Sequence, residues 1–581
     1  MMNKHGEPFI YINFADASGN TRHWQFKSPI EVIVAESIKD VIPCLNKVQT
    51  ATERGFFVAG FLSYEAAAAF HKDITVHQTQ QIPLLWFGVF EQPTAEPLTN
   101  TQPFTISDWL PHVSKEAYGQ NVDRILKAIQ KGETEQVNYT IPFHACFSGD
   151  ARTYYNQLKE AQSAHYSAYI NIGHTSILSA SPELFFHLDK NIITTRPMKG
   201  TVARGKTYAE DTYLSQRLQT SRKNRHENKL IVELMKQELA AIAKQNTVKT
   251  TRLYDVEKYP TVWQMTSTIT AELEDNKNLS DIFQSLFPCG SITGQPKRKT
   301  MNVITELENT PRDIYCGTIG FMTPQQEAIF NVPIRTVTVN HETGLATYNA
   351  GGAITKESTK EDEYEEVLAK KKILTKKVVH FQLLESFGLE NGTYIVMAQH
   401  LKRLEESALY FNFNIDLTRI REALDTCARK HPNGYWKVRL SVYKNGTFNL
   451  KPTPIELIND KVPVAVADKP ISDDLFLYHK TTNRTIYEAH KIKSAHIFDT
   501  LLWNEHGYLT EFTIGNLVVQ KNGKYYTPPV SAGLLPGTFR ADLLNRGIIM
   551  EHPLKVEDLK NCTAIWLINS VRKWVPVYLH Q

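Results

Sequence analysis

Apolar residues recur at helical spacing in two parts of the N-terminal half of the chain. Between residues 122 and 129 they follow the i, i+3, i+4, i+7 pattern of an amphipathic helix. Ser114 is positioned to cap this helix at its start, and Gly132 is positioned to end it. Residues 230–242 show a similar apolar face and predict a second helix.

Shorter apolar stretches predict β-strands between these helices. Residues 136–143, 167–172 and 346–351 are examples, and turns separate them. This mixture predicts an α+β fold with large β-sheets and flanking helices. The periodicity does not give the order of the strands.

Length and composition narrow the class of protein. At 581 residues the chain is too long for one hydrophobic core, so we expect several domains. The net charge of +4, without a long basic run, gives no support for nucleic-acid or membrane binding. The first residues lack the long apolar region of a signal peptide, and the six cysteines include no CxxC pair. We therefore expect a reduced, cytoplasmic protein.

A change of charge marks a candidate domain boundary. The basic residues 370–372 follow an acidic helical stretch over residues 361–368. A charge run of this kind is usually a solvated helix face, so the boundary depends more on the motifs on either side. We place one domain at residues 1–372 and a second at residues 373–581.

Eight motifs of the first part occur in an order and spacing that we identify with one family. They are Ser181-Pro-Glu-Leu-Phe, Arg196-Pro-Met-Lys-Gly-Thr, His226-Glu-Asn, Pro288-Cys-Gly-Ser-Ile-Thr-Gly-Gln-Pro-Lys, Tyr315-Cys-Gly-Thr-Ile-Gly, Pro333-Ile-Arg-Thr, Gly351-Gly-Ala-Ile and Glu363-Tyr-Glu-Glu. Together they resemble the chorismate-utilising enzymes, which include anthranilate, isochorismate and aminodeoxychorismate synthases. The resemblance runs from about residue 114 to residue 370, and residues 1–113 match only loosely.

The resemblance implies a magnesium site. Chorismate is a dianion, and glutamates of this family hold a magnesium ion that binds its ring carboxylate. The matching ligands are Glu227 and Glu366, and Glu363 lies one helical turn from Glu366, so both can face one site. A few hard oxygen ligands suit magnesium. An isolated acidic run would instead be a solvated helix face.

Other motif positions imply contacts with the substrate. Arg335 resembles the arginine that holds the enolpyruvyl carboxylate, a task for which the planar guanidinium is suited. Tyr315, Ser291 and the backbone around Gly351 resemble further substrate contacts. Glu183 resembles the general acid/base that protonates the departing hydroxyl.

Gln264 is a departure from the family pattern. It occupies a position where many relatives have a histidine. Its amide can donate a hydrogen bond to substrate but cannot transfer a proton. A catalytic histidine role is therefore not carried over.

Lys199 indicates the branch of the family. Aminodeoxychorismate synthases have lysine here, whereas anthranilate synthases have alanine, and the lysine is thought to attack the ring and expel the C4 hydroxyl. A nucleophilic lysine must be neutral, so its pKa must fall well below about 10.4. Arg196 and Arg204 lie close in sequence, and we expect their charges, together with burial, to lower this pKa.

Five motifs of the second part resemble the fold-type-IV pyridoxal-phosphate enzymes. They are Leu384-Glu-Ser, His400-Leu-Lys-Arg-Leu, Lys480-Thr-Thr-Asn-Arg, Leu509-Thr-Glu-Phe-Thr-Ile-Gly-Asn and Gly533-Leu-Leu-Pro-Gly-Thr-Phe-Arg. This class contains branched-chain aminotransferases, D-amino-acid aminotransferases and aminodeoxychorismate lyase. The resemblance implies a two-subdomain fold and bound pyridoxal 5'-phosphate.

The cofactor makes three demands on the chain. Lys480 fits the lysine that binds it covalently, and Glu511 fits the carboxylate that pairs with the ring nitrogen. The phosphate needs cationic and backbone donors. By resemblance these come from Arg403, the helix start at Thr538 and Phe539, and Ser570.

The two resemblances together predict a two-step activity. The first domain would aminate chorismate at C4, and the second would eliminate pyruvate to give 4-aminobenzoate, a folate precursor. Two alternatives stay open: an anthranilate synthase joined to an amino-acid aminotransferase, and a C-terminal module that only docks partners. We find no glutaminase domain, so ammonia would come from solution or from a separate glutamine amidotransferase subunit. A homodimer through the second domain is a further expectation.

Overall fold

A computed structural model describes residues 7–16, 19–79, 81–99 and 102–580. Residues 1–6, part of the stretch on which the expectation about a signal peptide depends, lie outside the described residues. No helix within the described ranges is both long and apolar enough to cross a membrane. The chain divides into two units. The first contains residues 1–203 and 215–378, and the second contains residues 204–214 and 379–581.

The chain leaves the first unit at a later point than the sequence indicates. The main division falls after residue 378, compared with 372 in the sequence analysis. Ile373 and Leu374 are buried in a hydrophobic core of the first unit. The basic residues 370–372 therefore belong to the packed structure of that unit rather than to a linker.

The first unit contains most of the strands and helices among the described residues. Its strands are β1 (Phe9–Ala15), β2 (Thr21–Lys27), β3 (Glu31–Ala35), β4 (Phe57–Leu62), β5 (Leu85–Phe90), β6 (Phe104–Ile106), β7 (Leu110–Pro111), β8 (Gln136–Gly149), β9 (Tyr166–Asn171), β10 (Thr175–Ser181), β11 (Leu184–Asp189), β12 (Ile192–Arg196), β13 (Met198–Ala203), β14 (Lys249–Lys258), β15 (Val262–Glu272), β16 (Gly294–Gln295), β17 (Thr318–Met322), β18 (Ala328–Asn331), β19 (Thr336–Asn340) and β20 (Leu345–Ile354). The helices are α1 (Ile38–Glu53), α2 (Lys115–Gln130), α3 (Ala151–Gln162), α4 (Tyr208–Thr220), α5 (Arg222–Ala240), α6 (Leu279–Leu286), α7 (Lys297–Leu307) and α8 (Lys360–Lys371). The division between the units falls inside α4.

Two large sheets form the centre of this unit. One has the order β16-β8-β20-β19-β10-β9-β1-β2, with β6 and β7 added to β8. The other has the order β13-β15-β12-β11-β18-β17-β4-β5-β3, with β14 paired to β15. Apolar side chains from both sheets, such as Phe14 and Phe321, share one buried cluster. Two further clusters line the helix-covered faces of the sheets, so the unit is layered helix, sheet, sheet, helix.

The predicted elements of this unit are confirmed, and some extend further than the pattern indicates. Helix α2 begins after Ser114, whose Oγ accepts a hydrogen bond from the Ala117 amide at 3.2 Å. The helix predicted over residues 230–242 is the C-terminal part of α5, which begins at Arg222. The apolar pattern misses the first turns of α5 because their side chains are mostly polar and exposed.

The second unit contains two smaller sheets. Its strands are β21 (Leu383–Glu390), β22 (Thr393–Tyr394), β23 (Tyr435–Val442), β24 (Phe448–Pro454), β25 (Val462–Val466), β26 (Asp499–Trp503), β27 (Leu509–Phe512), β28 (Gly515–Lys521), β29 (Lys524–Thr527), β30 (Met550–Glu551), β31 (Ala564–Asn569) and β32 (Lys573–Leu579), and its helices are α9 (Met397–Phe411), α10 (Leu417–Lys430), α11 (Thr485–His490) and α12 (Thr538–Asn545). One sheet has the order β22-β21-β23-β24, and the other has the order β27-β26-β25-β32-β31-β28-β29-β30. Pairing of β27 with β28 closes part of the second sheet into a ring. Helix α9 packs against β21.

Candidate active sites

Strand β13 holds Lys199 in a half-buried position. Helix α5 packs against this strand, and its buried Asn228 directs Nδ2 to the Lys199 carbonyl oxygen at 3.5 Å. The Asn228 Oδ1 in turn accepts a hydrogen bond from the Ser267 hydroxyl at 2.5 Å. A buried amide with partners on both sides has one favourable orientation, so this contact fixes the backbone that carries Lys199.

Gln264, on the neighbouring strand β15, forms hydrogen bonds with the two residues of β13 that follow Lys199. Its Nε2 donates to the Gly200 carbonyl oxygen at 3.0 Å, and its Oε1 accepts from the Thr201 hydroxyl at 2.7 Å. Both polar ends of the side chain are thus engaged with the residues that follow Lys199. Direct binding of substrate by Gln264 stays a prediction.

Four charged side chains act on Lys199, namely Lys370, Glu183, Glu227 and Glu366. Burial lowers the pKa of Lys199, and the positive charge of Lys370 adds to this effect. Glu183, Glu227 and Glu366 act in the opposite direction because their negative charges favour the ammonium form. The structure therefore brings together the predicted nucleophile, the predicted acid and two predicted metal ligands, which are far apart in sequence.

The arginines that the sequence analysis assigned to this pKa shift are engaged elsewhere. Arg196 forms an ion pair of 2.5 Å with Glu257. Arg204 pairs with Asp211 and lies in the second unit. The charges that act most strongly on Lys199 do not include these arginines, so that part of the expectation is not confirmed. Burial does lower the pKa of Lys199, as expected, and Lys370 adds to the shift.

Glu183 lies directly beyond the end of β10, and its side chain is buried. Its Oε1 accepts a hydrogen bond from the Ser291 hydroxyl at 2.6 Å. Burial raises the pKa of Glu183 to about 7, although the bond from Ser291 and the charge of Lys199 oppose the rise. A carboxyl group with this pKa can give up or accept a proton near neutral pH.

Two glutamates of helix α8, Glu363 and Glu366, lie beside Gly352 of strand β20. A Cβ at position 352 would lie 2.9 Å from the Glu363 Oε2 and 3.4 Å from the Glu366 Oε1, so both carboxylates approach this backbone position closely. The Glu363 Oε1 accepts from the Ser358 hydroxyl at 2.6 Å, whereas the Glu363 Oε2 is buried without a hydrogen-bond partner. Burial and the charge of Glu366 raise the pKa of Glu363.

These carboxylates fit the donor set of a magnesium ion. An unpartnered buried oxygen next to a second carboxylate supplies hard ligands and leaves positions for water and substrate. Within the described residues, however, no cluster of three or more histidine, cysteine, aspartate or glutamate side chains is assembled around one point. Glu227 is therefore not assembled with Glu363 and Glu366 into a preformed site, and the magnesium assignment stays a prediction.

Arg335 lies at the start of β19 with its backbone in the left-handed region, at a φ of 55°. Such a conformation costs a non-glycine residue about 1–3 kcal/mol and is concentrated at functional sites. Its Nη1 donates to the Lys370 carbonyl oxygen at 2.8 Å. Burial raises the pKa of Tyr348, while a hydrogen bond from Arg335 opposes the rise.

Lys370 connects several of the predicted substrate contacts. Its Nζ donates to the Gly351 carbonyl oxygen and to the Glu366 Oε1, both at 2.6 Å. Tyr315 is buried near this region, next to Cys316, and burial raises its pKa. The predicted residues Arg335, Gly351 and Glu366 thus meet around one lysine that the sequence analysis assigned to a boundary.

In the second unit, Lys480 is the residue that most resembles a reactive amine. Burial lowers its pKa to about 8, and the positive charge of Arg403 adds to the shift. Glu511 is buried on β27, where burial raises its pKa to about 7. The Glu511 Oε1 accepts hydrogen bonds from the Tyr487 hydroxyl at 2.8 Å and from the Leu535 amide at 3.0 Å.

A buried network holds Arg403 on helix α9. Its Nε and Nη2 donate to the two carboxylate oxygens of Glu385 at 2.9 and 2.7 Å. His400, one turn earlier on the helix, donates from Nδ1 to the Glu385 Oε2 at 2.6 Å. Although burial favours the neutral acid, Arg403 and His400 lower the pKa of Glu385 to about 2. Nε2 of His400 lies 2.8 Å from the Ser570 Oγ and 3.1 Å from the Thr538 Oγ1.

The predicted phosphate donors meet at the start of helix α12. Gly537 precedes the helix and provides no side-chain cap, so the leading backbone amides are open to an anion. Phe539 itself packs into a hydrophobic cluster with Val518 and Leu543. Only its backbone amide can therefore serve the phosphate.

Several residues of these sites were missed by sequence reasoning. They are Lys370, Asn228, Glu385 and His400, which form hydrogen bonds to residues of the sites or to their backbone. The last three lie inside motifs that the sequence analysis quoted, and that location was the available signal. Their partners are distant in sequence, so nothing local indicated what they hold.

A comparison with protein-family models now identifies the class. The chorismate binding enzyme model matches residues 7–376, so the chain belongs to that family. The match begins well before residue 114, so the extent inferred from the motifs was too short. Residues 382–579 match the class IV amino-transferase model, and the C-terminal part of the chain is a domain of that type.

Individual relatives and solved structures agree with the family assignment. The aminodeoxychorismate synthase component 1 of Escherichia coli is 38% identical over 268 residues, which cover 46% of this chain and 59% of the relative. The anthranilate synthase component I of Streptococcus pneumoniae matches with a TM-score of 0.52 at 20% identity, covering 64% of this chain and 91% of that one. The menaquinone-specific isochorismate synthase of Escherichia coli matches with a TM-score of 0.53 at 18% identity, covering 64% and 89%.

The chain spans only part of the length of its curated relatives. The matches to three curated aminodeoxychorismate synthase component 1 relatives span 59%, 66% and 63% of the relatives' own length. The solved structures, at 20% identity or less, show that the first unit shares their fold.

Proposed function

We propose that the chain converts chorismate and ammonia to 4-amino-4-deoxychorismate and then eliminates pyruvate to give 4-aminobenzoate. The observation that supports this most strongly is Lys199, half-buried with a lowered pKa among Glu183, Glu227 and Glu366. A neutral amine in that position can attack a ring carbon. Curated relatives such as the aminodeoxychorismate synthase component 1 of Escherichia coli support this choice within the family.

The first reaction divides its tasks among the residues of one site. Lys199 Nζ attacks the ring, and Glu183 supplies the proton that leaves with the C4 hydroxyl as water. Ammonia then forms the bond at C4 and displaces the lysine. Arg335 would hold the enolpyruvyl carboxylate, and its constrained backbone gives the guanidinium a defined direction.

Magnesium would be held by Glu366 and Glu363, with Glu227 completing the set. When bound, the ion neutralises carboxylate charge on the substrate. Lys370 pairs with Glu366 and keeps the pKa of that carboxyl low, although burial acts against this. The site therefore favours cations near Glu366.

The second reaction belongs to the class IV domain. Pyridoxal 5'-phosphate fits the donor set there, and when bound it supplies an electron sink for the carbon next to the substrate amine. Lys480 would hold the cofactor and then remove the C4 proton, and Glu511 would pair with the ring nitrogen. Arg403, Ser570, Thr538 and the start of helix α12 would hold the phosphate.

Three further features complete the proposal. Ammonia would come from a separate glutamine amidotransferase subunit, as the component 1 naming of relatives suggests. The second domain would form a homodimer, and the protein would act in the cytoplasm. Mass measurement of the purified protein with and without a candidate amidotransferase tests the first two points.

Replacement of Lys199 by alanine tests the first reaction. We expect Lys199→Ala to abolish amination at C4, because alanine cannot form the covalent adduct, and to direct any residual turnover toward an anthranilate-type product. The measurement is product analysis from chorismate, ammonium and magnesium. Lys47→Ala, at an exposed lysine of helix α1, is the matched control and should react at the normal rate. Aminodeoxychorismate formation by Lys199→Ala at a near-normal rate would show that Lys199 is not the nucleophile.

A further inference from the structure

A short segment from the middle of the synthase sequence belongs structurally to the second unit. Residues 204–214, here called the crossover segment, group with residues 379–581. The 164 residues 215–378, which separate these two stretches along the chain, belong to the first unit. The segment follows β13 directly, five residues after Lys199 at its first position, Arg204. No local pattern in the sequence indicates that this segment belongs to the second unit.

A buried ion pair organises the crossover segment. Arg204 donates from Nε and Nη2 to the two carboxylate oxygens of Asp211 at 2.6 and 2.7 Å. The two side chains are 7% and 3% exposed. The Asp211 Oδ1 also accepts from the Gly205 amide at 3.0 Å. A bidentate pair with its remaining lone pairs satisfied is the arrangement in which a buried charge pair is tolerated.

The ion pair docks on Tyr410 of helix α9. The Arg204 guanidinium lies 4.4 Å above the centre of the Tyr410 ring, and its Nη2 donates to the Tyr410 carbonyl oxygen at 3.1 Å. In the other direction, the Tyr410 hydroxyl donates to the Gly205 carbonyl oxygen at 2.7 Å. The contact is therefore reciprocal, with donors and acceptors on both sides.

The next residue reaches the neighbour of Lys480. The Lys206 carbonyl oxygen accepts a hydrogen bond at 3.1 Å from Nε2 of His479. Burial lowers the pKa of His479 to about 4, so the imidazole is neutral at neutral pH, and its Nδ1 accepts from the Ser407 hydroxyl at 3.0 Å. A neutral imidazole with one donor and one acceptor role satisfied has a fixed orientation.

We propose that the crossover segment is a structural part of the class IV domain that positions Lys480 through His479. His479 is clamped between the Lys206 carbonyl and Ser407, and Lys480 follows it immediately in the chain. The Lys480 carbonyl oxygen is fixed separately by the Leu384 amide at 3.0 Å. Without the segment, the buried Tyr410 hydroxyl and His479 Nε2 would lose their acceptors, a situation that folded proteins avoid.

Local hydrogen–deuterium exchange in the full-length protein tests this inference. Gly205→Ala is the disruptive variant, because its Cβ would lie 2.4 Å from the Asp211 backbone nitrogen. Tyr410→Phe is milder and removes only the hydroxyl that donates to the Gly205 carbonyl. Lys206→Ala is the matched control, since it deletes the ion pair with Asp473 and the contact with the Tyr478 ring but keeps the backbone carbonyl that His479 uses.

We expect the amides of residues 477–481 to exchange several-fold faster in Gly205→Ala and Tyr410→Phe than in the wild type, and at the wild-type rate in Lys206→Ala. Wild-type exchange in Tyr410→Phe and in any folded Gly205→Ala protein would overturn the proposal. So would an equal increase in all three variants, because that would report general loosening. If Gly205→Ala does not fold, the comparison of Tyr410→Phe with Lys206→Ala decides.

A second measurement reports on Lys480 and rests on its proposed role in binding the cofactor. Cofactor-free full-length protein is mixed with pyridoxal 5'-phosphate over a range of pH, and covalent capture is followed by visible absorbance. Only the neutral amine reacts, so the rate rises through the pKa of Lys480, about 8 in the wild type. The charged groups that act on it are Arg403, Arg484, Glu385 and Glu511, and they are unchanged in the variants.

We expect this midpoint to move to higher pH in Gly205→Ala and Tyr410→Phe, because loosening admits water to the amine, and to stay in place in Lys206→Ala. Unchanged midpoints in the first two variants would overturn the positioning of Lys480. If even the wild type captures no cofactor, the proposed role of Lys480 fails. The exchange measurement still decides whether the crossover segment belongs to the domain.

Discussion

Two residues of the first site have pKa values that burial shifts in opposite directions. Burial lowers the pKa of Lys199 and raises that of Glu183 to about 7. Both shifts favour the neutral forms of the two side chains. These directions are those that the proposed nucleophile and acid roles need. Each residue alone would be an ordinary lysine or glutamate.

The hydrogen bond from Ser291 to Glu183 gives a prediction about pH dependence. Glu183 must be protonated to act as an acid, so the rate should fall as pH rises through about 7. The bond lowers this pKa, so Ser291→Ala should move the falling limb to higher pH. The shift should be about one unit, since a bond to a charged group is worth about 1.5 kcal/mol and a unit corresponds to about 1.4 kcal/mol. The measurement is the pH profile of chorismate consumption.

Ser291→Thr is the control for that profile, because it keeps the hydroxyl. It should restore a falling limb close to that of the wild type. A limb that moves to lower pH in Ser291→Ala, or that moves equally in Ser291→Thr, would contradict the role of the hydrogen bond.

At this scale the sequence predicted the reactive residues better than the residues that hold them. Lys199, Glu183 and Ser291 were selected from motifs, and the structure brings them into one site. Lys370 was assigned to a boundary because a basic run follows an acidic helical stretch at this point of the sequence. Its actual contacts, with Gly351 and Glu366, depend on the packing of α8 against β20, which no local pattern encodes.

Among the elements, β21 and α9 are joined by the carboxylate of Glu385. This buried group accepts three hydrogen bonds, from Arg403 and His400. Glu385→Gln would leave the Arg403 charge without its partner, so we expect the domain to lose about 3–5 kcal/mol of stability. Chemical unfolding of the full-length protein, followed by probes in the class IV domain, measures this loss. Glu405→Gln, at an exposed position of α9, is the control and should change little.

The pKa of Glu385 in its pair with Arg403 predicts how the stability lost in Glu385→Gln depends on pH. The folded pKa of Glu385 is about 2, below the unfolded value of about 4.3. The stability that it contributes is therefore complete above about pH 4.3 and is lost as pH falls toward 2. The difference between wild type and Glu385→Gln should shrink over that range, and a constant difference would argue against the ionised pair.

The packing of α8 against β20 gives a prediction about magnesium. Gly352→Ala would place a methyl group 2.9 Å from the Glu363 Oε2 and 3.4 Å from the Glu366 Oε1. We expect weaker magnesium binding in titration calorimetry of the full-length protein, by at least the roughly tenfold that follows from about 1.4 kcal/mol. Gly119→Ala is the control, because its Cβ would meet Lys360 and neither carboxylate. Unchanged affinity in Gly352→Ala would argue against a metal held by this carboxylate pair beside position 352.

The sequence indicated the type of the elements and left their arrangement open. Helix α2 and strands β8, β9 and β20 follow directly from apolar periodicity and capping. The strand orders could not be predicted, because strands that pair, such as β8 and β20, are separated by two hundred residues. Pairing over such distances is decided by the complete core rather than by any one segment.

For the whole molecule, two sets of proposed catalytic residues in separate units predict separable activities. Lys480→Ala should leave chorismate amination intact, because Lys199 is unaffected, and aminodeoxychorismate should accumulate. Without the proposed base, release of 4-aminobenzoate should slow by at least roughly 10²–10⁴-fold. The measurement is a time course of both compounds, with Lys402→Ala, an exposed lysine of α9, as control. Rapid release of 4-aminobenzoate and pyruvate by Lys480→Ala would exclude the lyase assignment.

The crossover segment also has a consequence for the order in which the protein is synthesised. Residues 204–214 leave the ribosome well before Tyr410 and His479, to which they bind. Domains generally fold from the N-terminus during synthesis, so the first unit has to form around an inserted stretch that still lacks its own neighbours. During that interval Arg204 and Asp211 are exposed to water and to proteases. Nascent chains that end before residue 410 should therefore be cut in this segment, and complete chains should resist.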